Sequence, residues 1–410
     1  MKPNFSDNFK WFYPGIGIKR WVILGAVGVL FLIFGASRLR TEDFWVFKTL
    51  DTVILASGII ILILGIKMMM RSFIAAFMPS SKGTELVDIL YHKKQLGRGF
   101  KIVTIGGGTG LSVLLTGLKE YTSNISAIVT VADDGGSSGR LRQQFDILPP
   151  GDIRNCLVAL ADAPALMREL FQFRFDTSSE LAGHSFGNLF ITAMTRVTGD
   201  FEKAIKETSK VLALRGKVIP STLSNVVLNP LHNDGSTTTG EEKIPKAQKA
   251  IKRVYLSPEG VQATPDALKA IKDAQVIILG PGSLYTSIIP NLLIKEITEA
   301  IASSPAIKVY VCNVMTQPGE TDGYTAADHL DALHRHGLTG LVDVVLVNDA
   351  AVSPELVAIY HRLGARPVVV DEDRLREAGV KVTHARVAAE SNVVRHDSER
   401  LAQALIRIVR

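Results

Sequence analysis

Lys101-Ile102-Val103-Thr104-Ile105 runs into Gly106-Gly107-Gly108-Thr109-Gly110, and that junction decides the fold class. The β-branched run predicts a buried strand, and the glycines predict the turn that leaves it. From Leu111 to Tyr121, apolar residues recur at Leu111, Leu114, Leu115 and Leu118, the spacing of one helix face. A second strand-like run, Ile125 to Val131, ends in Ala132-Asp133-Asp134-Gly135-Gly136-Ser137-Ser138-Gly139. The whole reads as a β-α-β unit with glycines at its first strand-to-helix turn. Such a turn aims backbone N–H groups and a helix N-terminus at whatever sits above it, which favours phosphate. A phosphorylated ligand is expected, and a nucleotide conjugate fits best.

Downstream, strand-like and helix-like runs alternate. Ala274 to Leu279, Ile307 to Cys312, Val342 to Val347, Arg366 to Val370 and Val380 to Thr383 read as strands. Leu157 to Leu170, Pro290 to Ser303, Tyr324 to His336 and Ser398 to Val409 read as helices. Alternation of this kind predicts an α/β, Rossmann-like domain, a mostly parallel sheet with helices on both faces. Gly183 to Leu214 reads as mostly helical. After it, Val226-Val227-Leu228, a turn at Asn233-Asp234-Gly235 and Thr237-Thr238-Thr239 predict a small inserted hairpin.

The glycine cluster fits neither common nucleotide motif. Counting from Gly106, the sixth position is Leu111, so the dinucleotide fingerprint fails, and no Gly-Lys-Ser/Thr follows for a P-loop. Two readings remain, a tight turn or a backbone cradle for a diphosphate. Four glycines and a threonine in five positions exceed what a turn requires. Asp133 and Asp134 stand where a Rossmann-type domain places an acid for ribose hydroxyls. Adjacent acids also suit Mg²⁺, the one cofactor the sequence suggests, although neighbouring strand residues face opposite ways. A solvated Asp-Gly turn is the plain alternative. Ser137, Ser138, Arg140 and Arg142 follow as candidate anion clamps.

Pro149-Pro150-Gly151-Asp152-Ile153-Arg154-Asn155 forms a rigid loop into a helix, with Asp152 a ligand contact or merely its N-cap. Gly183-His184-Ser185-Phe186-Gly187-Asn188 opens the next helix, with His184 a ligand donor, a general base or a cap. Gly280-Pro281-Gly282-Ser283-Leu284-Tyr285 ends a buried strand, and Tyr285 is a candidate to stack on a base. Asn313 to Thr321 leaves the following strand. In an open α/β sheet these loops share one rim, where ligands bind. No residue reads as a nucleophile or a positioned base.

Charge is unevenly spread. Residues 1–100 hold 13 Lys/Arg against 6 Asp/Glu, and residues 101–410 hold 33 against 34. The basic character therefore lies outside the globular part, the opposite of what nucleic-acid binding requires, and nucleic acid is not an expected partner. Two apolar runs, Trp21 to Ser37 and Thr52 to Ile66 (to Met70 if Lys67 snorkels), predict a transmembrane hairpin within residues 1–71. A juxtamembrane linker over 72–99 follows, broken by Pro79-Ser80-Ser81-Lys82-Gly83, and the ligand-binding domain occupies 100–410. A second apolar run after a short linker argues against a cleaved signal peptide. Basic residues at the N-terminus and at Lys93, Lys94, Arg98 and Lys101 place both hairpin ends in the cytoplasm, with Arg38, Arg40 and Lys48 in the connecting loop counting the other way. Two cysteines, Cys156 and Cys312, in no metal or redox spacing, agree with a reducing compartment. The sequence leaves a homo-oligomer open.

These motifs together resemble the gluconeogenesis factor family, the YvcK-like proteins, related to the CofD group of 2-phospho-L-lactate transferases. The residues that carry the resemblance are IGGGTG at 105–110, VTVADDGGSSGRLR at 129–142, PPGDIRN at 149–155, GHSFGN at 183–188, GPGSLYTSI at 280–288, NVMTQPGET at 313–321 and TAADH at 325–329. The resemblance implies a domain that binds a UDP-sugar such as UDP-N-acetylglucosamine, with a role in cell shape and cell-wall synthesis during gluconeogenic growth. Its alternative is a Mg-dependent transferase acting on a nucleotide-activated substrate. It implies ligand contacts at Gly106, Gly107, Gly108, Thr109, Gly110, Asp133, Asp134, Ser137, Ser138, Arg140, Asp152, Arg154, Asn155, His184, Asn188, Gly282, Ser283, Tyr285 and Asn313. The hairpin departs from the short members of the family and implies tethering at the membrane.

Overall fold

The computed structural model describes residues 18–39, 44–77, 94–176, 180–390 and 394–410. The Pro79–Gly83 breaker and Lys93 lie outside them. The chain divides into two compact units, Met1–Lys94 and Gln95–Arg410.

The first unit contains two helices, α1 (Ile18–Leu39) and α2 (Trp45–Phe77). Both are long and apolar enough to cross a membrane. They outrun the apolar runs of the sequence because no proline or glycine interrupts the flanks. Their contact is a glycine seam. Asp51, Gly58 and Gly65 recur every seven residues and are all buried, as are Gly28 and Gly35 on α1. A Cβ on Gly28 would stand 2.7 Å from the Leu62 backbone N, and one on Gly65 would stand 2.8 Å from that of Gly25. The backbones approach this closely only because the side chains are absent. At one end of the seam, Arg38 Nε meets the buried Asp51 carboxylate at 3.2 Å. Ile23, Leu30, Ile33, Ile60 and Ile63 face outward, all exposed.

The second unit is built on strands β1 (Ile102–Gly106), β2 (Ile125–Val129), β3 (Lys217–Pro220), β4 (Val227–His232), β5 (Ile251–Ser257), β6 (Val276–Leu279), β7 (Ile307–Val311), β8 (Val344–Asn348), β9 (Lys381–Ala385), β10 (Ala388–Glu390) and β11 (Val394–His396). Seven of them form one sheet in the order β3-β2-β1-β6-β7-β8-β9. Every neighbouring pair in it is parallel. The Rossmann-like expectation holds. Strand β1 is buried along its whole length between β2 and β6, which explains its unbroken β-branched run.

Helix α3 (Gly108–Leu118) crosses from β1 to β2, and Leu111, Leu114, Leu115 and Leu118 are all 0% exposed. Truncating any one of them to Ala would cost about 2–5 kcal/mol. The remaining helices used below are α4 (Gly136–Phe145), α5 (Gly151–Leu160), α6 (Ala165–Gln172), α7 (Phe186–Thr198) and, at the end of the chain, α8 (Ser398–Val409).

Several sequence expectations need correction. The helix expected over Leu157 to Leu170 is two helices, because Pro164 bars the helical conformation at the residue before it. The hairpin partner of β4 is β5 and not Thr237–Thr239, which adds only an isolated bridge at Thr237. Arg366 to Val370 forms two isolated bridges and no strand, since Pro367 lacks the N–H a ladder needs. Pro290 to Ser303 is broken into Ile289–Leu292 and Lys295–Ser303. The helix expected to His336 ends at Leu333, followed by a looser turn with Gly337 at φ +93°. Strand β3 joins the sheet edge although the sequence pattern marks no strand at Lys217–Pro220, a four-residue run closed by a proline.

Gly117 of α3 lies against the main-chain carbonyl of Ser398 and the Ala402 side chain. A methyl group there collides with backbone, so Gly117→Ala is expected to destabilise the domain by about 1–3 kcal/mol. A denaturant midpoint unchanged from wild type would show that α8 can withdraw freely.

Candidate functional site

The sheet order reverses direction at β1, which has β2 on one side and β6 on the other. In open α/β sheets the crevice at the carboxyl ends of the strands, at this switch point, is where ligands bind. Three loops converge there: Gly107–Gly110 after β1, Thr130–Gly135 after β2 and Gly280–Ser283 after β6.

The glycines of the first loop have two duties. Gly108 takes φ +67°, a left-handed conformation that favours glycine. Gly107 and Gly110 are required by their neighbours. A Cβ on Gly107 would collide with the Asp152 carboxyl and stand 2.8 Å from Thr130. A Cβ on Gly110 would stand 2.7 Å from the Pro281 carbonyl oxygen. Gly106 has only ordinary contacts. Both readings of the cluster therefore contain truth. Close packing accounts for two glycines, and the loop still opens α3 with first-turn N–H groups that have no intrahelical acceptor.

The cleft above this loop has a volume of about 490 Å³. Of the sequence-predicted residues it is lined by Gly107, Gly108, Thr109, Gly110, Asp152, Gly282, Ser283 and Asn313. Asp152 is the second residue of α5, whose N-cap is Pro150, so the capping reading fails. Its carboxyl instead accepts the Gly108 N–H. Burial, reinforced by the nearby Asp133 charge, pushes it up to about 7. Part of the cradle is thus held by a protein carboxyl.

The carboxylate pair separates. Asp133 Oδ1 accepts the Gly135 N–H at 2.9 Å, and burial raises its pKa. Asp134 Oδ1 accepts the Glu242 N–H at 2.9 Å and packs on Gly240, which has φ +96°. The two carboxylates accept from different backbone partners. Among the described residues no group of three or more His, Cys, Asp or Glu side chains is arranged to hold a metal.

The expected anion clamps are occupied. Arg140 donates to the Ala182 carbonyl at 2.7 Å, and Arg142 to that of Val226 at 2.6 Å. Buried Arg154 donates to Ser185 Oγ, to Asn188 Oδ1 at 3.1 Å and to Asn155 Oδ1 at 2.7 Å. Ser137 Oγ meets His184 Nδ1 at 3.0 Å and accepts from Asn188 at 3.0 Å. Ser138 bonds Asp133. His184 is buried, and its pKa is lowered by burial and by Arg140. These residues knit α4, α5 and α7 together behind Asp133, and none of them lines the cleft. Tyr285 is 0% exposed with its hydroxyl 2.8 Å from that of Tyr324, so it is a core residue and not a stacking platform.

Sequence reasoning missed four lining residues in particular: Glu241, Gln317, Arg395 and His396. Gln317 lay inside a quoted motif. Glu241, Arg395 and His396 lie far along the chain and carried no local signal. The Glu241 carboxyl is pushed well up by burial and by Asp133, Asp152, Glu320 and Asp134. Burial likewise takes Glu320 up to about 7.

Comparison with known proteins agrees with this geometry. The family model for 2-phospho-L-lactate transferase CofD matches residues 102–388. The Bacillus subtilis gluconeogenesis factor is 50% identical over 316 residues, covering 77% of this chain and 100% of that protein. A Nostoc relative is 47% identical over 420 residues, covering 97% of this chain and 92% of its own, so the N-terminal apolar helices fall within the matched length. A Bacillus halodurans crystal structure is 51% identical with a TM-score of 0.74, covering 75% of this chain and 100% of that one. The chain belongs to the CofD family and, within it, to the gluconeogenesis factors.

Two outcomes are expected. A phosphate seated on the α3 N-terminus meets a neutral Asp152 below about pH 7 and a charged one above it. Affinity for uridine diphosphate should therefore fall between pH 6 and pH 8, each unit of pH altering affinity by at most about tenfold per proton. Asp152→Asn should flatten that profile; calorimetric titrations that keep the same slope in the variant exclude Asp152. Asp134→Ala releases the turn that carries Glu241, and should weaken the same ligand by about threefold to tenfold. Unchanged affinity would leave Asp134 as a surface turn.

Proposed function

We propose that this protein binds a UDP-sugar such as UDP-N-acetylglucosamine in the switch-point cleft and acts, without turnover, as a regulator of cell shape and cell-wall synthesis under gluconeogenic growth. The observation that carries the reading is the Gly107–Gly110 loop. It presents the first-turn N–H groups of α3 to a cleft of about 490 Å³, within the size range of small-ligand sites. A diphosphate is the group such a helix start favours. Burial keeps Asp152 and Glu241 from repelling that anion in the lower part of the neutral range. The relatives named as gluconeogenesis factors support the link to gluconeogenic growth.

Non-catalytic binding is favoured because, among the described residues, no serine or cysteine lining the cleft is hydrogen-bonded to a histidine. Among those residues the one serine–histidine hydrogen bond, Ser137 with His184, lies outside the cleft. Thr286, which lines it, bonds the buried Glu320 carboxyl and is the one described hydroxyl there with an acid beside it. The transferase reading keeps support from the family model and from two carboxyl groups facing the cleft, and it would require Mg²⁺. The two apolar helices anchor the ligand-binding unit to the cell membrane in this proposal, with that unit in the cytoplasm. Alkaline carbonate washing should leave the full chain with the membranes and release a chain lacking residues 1–71.

A thermal-shift series on the full chain separates the functional readings. UDP-sugars should raise the melting temperature without Mg²⁺, and chromatography after long incubation should return the ligand intact. Mg²⁺-dependent consumption of a phospho-lactyl nucleotide would instead establish the transferase.

A further inference from the structure

The wall of the cleft away from the glycine loop is polar and unfinished. His396, the last residue of β11, lines it with Nε2 buried and without a partner. The ring is held against the Cys312 carbonyl, and burial lowers the imidazole to about 4, so it is neutral at physiological pH. Gln317 donates its Nε2 to Ser283 Oγ at 2.7 Å and keeps Oε1 buried and unpartnered. Glu241 Oε2 is in the same condition. Buried polar atoms are nearly always paired in folded proteins, and leaving one unmet is costly. Three such atoms around one cleft call for a polar guest.

The kind of guest follows from hydrogen-bond capacity. A carboxylate or a second phosphate only accepts, and would leave Gln317 Oε1 unmet. A hydroxyl can donate, so it satisfies Gln317 Oε1 or His396 Nε2, the imidazole proton being held on the nitrogen that faces the Cys312 carbonyl. The glycine loop offers donors, whereas the unmet atoms of this wall, Gln317 Oε1 and His396 Nε2, are acceptors. Arg395 is the cation that also lines the cleft, but these two atoms suit a hydroxyl better than a second anion. The sites are far apart in sequence, at residues 107–110, 317 and 396, and the fold alone brings them to one cavity.

We infer that His396 and Gln317 are the specificity-determining pair for an uncharged, hydroxyl-bearing moiety attached to the phosphate that the glycine loop binds. The inference rests on the nucleotide-sugar reading and assigns the sugar's end of the cleft.

Isothermal titration of the full chain with UDP-N-acetylglucosamine and with UDP tests it. In His396→Ala, affinity for the UDP-sugar should drop about tenfold, while affinity for UDP stays within about twofold of wild type. Gln317→Ala should show the same selective loss and serves where the histidine variant does not fold. Equal losses for both ligands would mean that His396 and Gln317 only hold the fold, and no loss for either would remove them from the site; both results overturn the inference and leave the nucleotide-sugar reading standing. Wild-type protein that binds neither ligand overturns that reading, and this inference with it.

Discussion

Backbone packed on backbone at the switch point is the constraint on which the site depends. Gly110 lies under the Pro281 carbonyl, and Gly107 lies under Asp152 and Thr130. Those contacts lock the exits of β1, β2 and β6 and the start of α5 into one rim. Any side chain at either glycine would push a neighbouring loop off the cleft, and the rigid parallel sheet below has no room to yield. The shape of the glycine loop is thus a consequence of close packing as much as of glycine's conformational freedom.

The electrostatics follow from that enclosure. Asp133, Asp152, Glu241 and Glu320 are gathered where water is scarce, and each has a raised pKa. Burial disfavours the charged form, and mutual repulsion adds to it for the closest members. The guanidinium groups of Arg142 and Arg154 do not compensate by reaching into the cleft, which Arg395 lines instead. Arg142 and Arg154 satisfy buried carbonyls, hydroxyls and amides behind it. The result is a helix start whose backbone dipoles face a cleft lined by two carboxyl groups, Asp152 raised to about 7 and Glu241 raised by burial.

The N-terminal unit uses the same device on a different scale. Glycines seven residues apart on α2 bring two apolar helices into backbone contact, while the isoleucines and leucines point away. The buried Asp51 carboxylate meets the partly exposed Arg38 guanidinium at 3.2 Å, a charge pair that favours this register of the two helices. In a membrane environment, where apolar burial between helices has little driving force, close packing and such pairs are what remain to specify the hairpin.

Most of the architecture was legible in the chain because it rests on local periodicity. The β1–α3–β2 unit, the α8 helix and the two apolar helices all announce themselves within windows of a dozen or two residues. The Leu157 to Leu170 helix and the Arg366 to Val370 strand were misread where Pro164 and Pro367 overrode an otherwise regular pattern. Half of the site was also local: the glycine loop, Asp152, Gly282, Ser283 and Asn313 lie in motifs that leave strand ends. Side-chain direction was not legible. Whether Arg140, Arg154 and Tyr285 face a ligand or a core depends on partners such as Ala182, Asn188 and Tyr324, which no spacing rule connects to them. The sequence by itself determined the class of fold, the glycine loop at the first strand exit and the two apolar helices, because each follows from short-range pattern and backbone conformation. Only the tertiary structure decided which side chains face the cleft and brought Glu241, Gln317 and His396 to it, because parallel strand order and loop packing join residues that are remote along the chain.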